Sequence, residues 1–180
     1  MFGAEENTVR FLLPAGCRAH KRGHLKSPRH DFKVWQAGTF ESGGAFYQTN
    51  TSLSTQHITP TCATGGAAAA LILMEFSGAA TSSPLVSSSS AYCTHCGTTM
   101  TSGTISGTSG QLVVLSASNY YTPTWGNGTT PSGIAIPSGG SGAQIVGEYV
   151  VLSGMATSAN ISQTGIGGDL GPVFAAVFSR

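Results

Sequence analysis

A chain of 180 residues is long enough to bury a core and cramped for two full domains. With 40 % apolar side chains and a net charge of +1 it is not the composition of a disordered polymer. Charged residues make up only 8 % of the chain, which leaves thin material for acid–base catalysis. Residues 1–41 hold seven bases and four acids, whereas 42–179 hold no Lys or Arg and three acids, Glu75, Glu148 and Asp169. Two differently employed regions are implied.

The opening "MFGAEENTVRFLLPAGCR" has acids where a secretory leader needs bases, so no export signal is expected. Next comes "CRAHKRGHLKSPRHDFK", residues 17–33, with six of the eight bases. Together with Arg10, the residues Arg18, Lys21, Arg22, Lys26, Arg29 and Lys33 are expected to form an N-terminal basic arm over residues 1–30 and its junction with a body over 31–180. Such a segment suits docking on a neighbouring subunit or another acidic protein surface, with nucleic acid as the second choice, since aromatic interleaving is absent until Phe32 and Trp35.

From there onward short apolar runs alternate with Gly, Ser, Thr and Pro clusters, the pattern of many short strands joined by turns. Strands are predicted over residues 31–40, 45–53, 67–78, 99–106, 111–120, 132–138, 143–154, 158–165 and 173–179. The alanines at 67–70 make a helix the rival there, but "LILMEF" runs straight into "SG" and is too short for a helix of its own. The runs "LILMEF", "QLVVLSA", "IVGEYVVL" and "VFAAVF" are nearly continuous in apolar residues, as expected of strands covered on both faces or at the centre of a sandwich. The other strands alternate small polar and apolar residues. The fold class expected is all-β, a β-sandwich of jelly-roll type. The most apolar run, "GGAAAALILMEFSG", is about half of what a bilayer span needs, so no membrane anchor is expected.

The order "LILMEFSGA", "SSPLVSSSS", "SGTISGTSGQLVVLSAS", "TPTWGNG", "GEYVVLSG", "ATSANISQTG", "VFAAVFS" resembles a domain seen in many bacterial surface and phage-associated proteins. The resemblance runs from about residue 67 to the end and implies a jelly-roll or lectin-like β-sandwich. It carries core and turn positions rather than an active site, and the N-terminal part of the chain departs from it.

Four cysteines, Cys17, Cys62, Cys93 and Cys96, include a Cys17-x-x-His20 and a Cys93-x-x-Cys96 spacing. Two such knuckles could furnish tetrahedral zinc, pair as disulfides or stay as thiols, and the spacing alone leaves all three open. No cofactor is expected. Glu75 and Glu148 would serve a glycosidase only if their strands brought them to one cleft, and otherwise lie on the solvent side of a strand or bond a loop backbone. The serines form no nucleophile elbow and read as surface filler. Trp125, with Tyr120 and Tyr121 nearby, has the materials of a glycan platform beside Asn119 and Asn127, or else Trp125 caps the core. The sequons "NTS", "NGT" and "NIS" carry little weight without an export signal. These expectations converge on a structural component of an exterior assembly: a phage virion protein, as capsid decoration, head-fibre or tail component. A carbohydrate-binding or adhesion module, extracellular or at a cell surface, is the alternative.

Overall fold

In the computed structural model, residues 8–15, 32–37, 42–49, 70–80, 83–94, 97–119, 124–125, 134–140, 143–164 and 171–180 are described. Every regular element among them is a strand, and every pairing is antiparallel. The strands are β1 (Thr8–Ala15), β2 (Phe32–Ala37), β3 (Ser42–Thr49), β4 (Ala70–Ser77), β5 (Leu85–Cys93) and β6 (Thr99–Gly107). They continue as β7 (Leu112–Asn119), β8 (Thr124–Trp125), β9 (Ile134–Gly140), β10 (Ala143–Val151), β11 (Ala156–Thr164) and β12 (Gly171–Phe178). They assemble in the orders β2-β3-β1-β4, β5-β12-β7-β10-β9 and β6-β11-β8.

The five-stranded sheet has a hydrophobic core on each face. Strand pleating sends alternate side chains to opposite sides, so one strand can serve both cores if every residue is apolar or small. β12 does so: Phe174, Ala176 and Phe178 join Ala45, Tyr47, Ile72, Met74, Leu112, Val114 and Ile145 in the first core. Val173, Ala175 and Val177 join Met100, Ile105, Val113, Leu115, Val146 and Ala159 in the second. All eight residues of β12 are buried. This double coverage is why "QLVVL" and "VFAAVF" read as continuous apolar runs.

Within the first core β2 lies over β5 and β12, β3 over β12, β1 over β10, and β4 over β9 and β10. Edge-to-face ring contacts tie the layers, Tyr47 with Phe178 at 5.2 Å between centroids and Phe76 with Tyr149 at 5.1 Å. Gly147 permits the approach of β4, since a Cβ there would stand 3.0 Å from Met74 Cε and 3.3 Å from Ile72 Cγ2.

Three strands were not expected from the sequence. β1 takes Thr8–Ala15, inside the segment read as an arm, and sits between β3 and β4. β5 takes "LVSSSSAYC", a stretch outside the predicted strands, where serine was read as surface filler. β8 is a two-residue pairing at Trp125. The described part of the alanine run is strand, beginning at Ala70.

Candidate functional site

The basic segment is the first candidate. Arg10 stands in β1, in register with Gln48 of β3 and Glu75 of β4, so it belongs to a sheet of the body. Lys33 stands in β2, in register with Phe46. Arg18, Lys21, Arg22, Lys26 and Arg29 lie outside the described residues, in the stretch of chain that joins β1 to β2. The charge asymmetry therefore maps onto one connection flanked by two strands of the four-stranded sheet. The strands β5 to β12 contain no Lys or Arg.

The aromatic candidates divide. Tyr120 and Tyr121 lie outside the described residues. Trp125 pairs with Gln163 in β11, two residues beyond Ile161, whose own register partner is the fully buried Met100. That pairing fixes the register position of Trp125 against β11 and leaves the glycan platform and the core cap both open.

The two strand carboxylates do not meet. Glu75 is exposed on β4, on the same face as Leu73 and opposite to the buried Ile72 and Met74. Glu148 on β10 is 2 % exposed and turns the other way. Gly147 faces β4, so its neighbour Glu148 faces the second core, beside a cavity of about 10 Å³ lined by Val113, Leu115, Tyr149, Val150 and Ala159. That space is at the lower limit for a single water and far below a sugar. The solvent-side position expected for Glu148 is corrected, because the middle of β10 is covered on both faces and has no solvent side. The two-carboxylate cleft a glycosidase needs is not assembled.

Cys93, at the end of β5, is disulfide-bonded, and its partner lies outside the described residues with Cys17, Cys62 and Cys96. A disulfide sulfur is not available as a thiolate ligand, so Cys93 does not act as a zinc ligand in this state. Among the described residues no three His, Cys, Asp or Glu side chains come together.

The serines do more than cover the surface. Ser87 Oγ donates to Ser106 O at 3.0 Å and accepts from Ser106 N at 2.9 Å. Ser89 Oγ donates to Ser102 O at 2.8 Å. Hydroxyls of β5 thus satisfy backbone groups on the free side of β6, joining the edges of two sheets without a shared ladder. Ser102, Ser116 and Ser118 are themselves buried. The sequence run "SSSS" carries no signal that separates this role from a loop. On the opposite side of β6, Thr99, Thr101, Thr104 and Ser106 are exposed, with Ser158, Asn160 and Ser162 of β11 in register with the three threonines.

No helix among the described residues is long and apolar enough to cross a membrane. Comparison of the chain with protein-family models, with characterised proteins and with solved structures finds no match.

Proposed function

We propose that this protein is a structural component of an exterior assembly, a phage virion protein serving as capsid decoration, head-fibre or tail component, fastened by its basic N-terminal region. The observation that carries this reading is the segregation of charge: five bases fall in one connection, between Arg18 and Arg29, while the strands β5 to β12 present Thr, Ser and Gly and no basic residue. A body with so little charge has weak electrostatic defence against association, which suits a molecule that works assembled. We read the basic connection, with β1 before it and β2 after it, as a strap, which loses less chain entropy on docking than a tail with one free end. The strap's partner is another copy of the chain or another virion protein.

For the body we propose a jelly-roll sandwich spanning β5 to β12. Counting β5 as the first of eight strands, one sheet runs first, eighth, third, sixth and the facing one second, seventh, fourth. That interleaving of early and late strands is the order of two nested Greek keys, with the fifth strand, β9, joined to β10 instead. The four-stranded sheet of β1 to β4 then adds a further layer that carries the strap. The disulfide at Cys93 accords with a protein that meets an oxidising medium after release.

The test replaces Arg18, Lys21, Arg22, Lys26 and Arg29 with Ser, leaving β1 and β2 intact. The variant is expected to fold with a wild-type circular-dichroism spectrum and to be lost from particles. Incorporation at wild-type occupancy would defeat the docking role.

A further inference from the structure

β5 ends at Cys93 and β6 begins at Thr99, so these consecutive strands of different sheets are joined by the short connection 94–98. Each has its own ladder, β5 with β12 and β6 with β11. Between them the bonds come from side chains. Ser87 Oγ donates to Ser106 O at 3.0 Å and accepts from Ser106 N at 2.9 Å, and Ser89 Oγ donates to Ser102 O at 2.8 Å. The Ser87 hydroxyl thus imitates, at one residue, the pair of bonds that a neighbouring strand would make.

The register of β5 with β12 is continuous from Ser87 to Cys93, so alternation places Ser87, Ser89 and Cys93 on one face, and Cys93 packs against the second core. The three fall in order along the line where β5 meets β6. Ser87 stands at the open end with solvent-exposed bonds, Ser89 midway with a part-buried one, and Cys93 beside the connection, where it is disulfide-bonded. Side-chain bonds of this kind compete with water and belong to no ladder, so the line gives way before the sheets that flank it. The cross-link restrains it: whichever of Cys17, Cys62 and Cys96 is the partner, the bond fixes the end of β5.

We propose that the seam between β5 and β6 is a redox-gated device, closed while the Cys93 disulfide is intact and opening locally when that bond is reduced. A dithiol reductant supplies two electrons and two protons; the S–S bond breaks, two cysteine thiols form, and the reductant becomes a disulfide. The Ser87 and Ser89 bonds then lose their anchored end, and Ser102 O with the N–H and C=O of Ser106 pass to water, while the ladder of β5 with β12 stays shut. The coupling is reciprocal, so the seam in turn makes the disulfide harder to reduce.

Native-state hydrogen exchange of the full chain, before and after treatment with dithiothreitol, reads the seam at the Ser106 amide. Reduction is expected to speed exchange at Ser106 by about tenfold or more, with the amides of Val114 in β7 and Val177 in β12 unchanged. Unchanged exchange at Ser106, or loss of protection at all three residues together, would overturn the proposal. If reduction precipitates the chain, the disulfide itself decides, followed by alkylation of Cys93 in a graded dithiothreitol series. The Ser87→Ala/Ser89→Ala variant is expected to open its disulfide at lower reductant than the wild type. Equal midpoints refute the gate.

Discussion

Gly147 sets how closely β4 can lie on β10. A Cβ at that position would meet Met74 Cε at 3.0 Å and Met74 Sδ at 3.3 Å, inside the range that side chains ordinarily keep. Gly147→Val is therefore expected to destabilise by about 1–3 kcal/mol through overpacking, measured as a lower denaturant midpoint. Gly103 is constrained twice. Its φ of 94° favours glycine, and a Cβ would fall 2.7 Å from Ser89 Oγ, the group that bonds Ser102 O. Gly103→Ala is expected to cost more than Ser89→Ala, which loses one part-buried hydrogen bond worth about 1 kcal/mol. Equal losses for the two variants would remove the backbone argument. At this scale little was legible beforehand. Glu75 and Glu148 sit in similar apolar strands next to an aromatic residue, and only the layering makes one exposed and the other buried. For Trp125 the sequence left platform and core cap open, and the structure adds its register with Gln163 of β11.

Strands were legible where packing demands a distinctive composition. β7, β10 and β12 are covered on both faces, and that requirement wrote continuous apolar runs into the chain. β5 escaped for the converse reason. As the edge strand of its sheet it keeps Ser87 through Ser90 half exposed and uses hydroxyls to bind β6, so nothing in "SSSS" announces a strand. β1 escaped because the cluster of basic residues suggested an arm, although "VRFLLPA" aligns along β4 over its whole length. Phe178 shows how much a single residue of a doubly covered strand carries. It is fully buried, contacts Tyr47 edge to face and closes the first core at the end of β12. Phe178→Ala is expected to cost about 3–5 kcal/mol in chemical denaturation. A loss below about 1 kcal/mol would mean that the four-stranded sheet is only loosely seated there.

For the whole molecule, the charge boundary after residue 41 runs through the four-stranded sheet, with β1 and β2 before it and β3 and β4 after it. Strands β5 to β12 supply the second core by themselves and need no basic residue, while β1 to β4 close the first core and bracket the bases. The separation was legible because it is one of composition. The placement of Thr8–Ala15 was not, because a strand that pairs on both sides can be sequence-distant from its neighbours. If the strap holds this molecule in an assembly through its charge, added salt should release it, since contacts between exposed charges weaken as the Debye length falls. Partial release between low and high salt, followed by sedimentation of particles, is the expected outcome for the wild type. The variant with serine at the five strap positions should be missing from particles at low and high salt alike.

The central claim is that the chain works fastened into something larger. It is met most directly by the native mass of the complex that carries it, isolated from its natural source without denaturation. The account predicts a particle many times the 18.3 kDa of one chain. A solitary 18.3 kDa species at every dilution and salt concentration would contradict it.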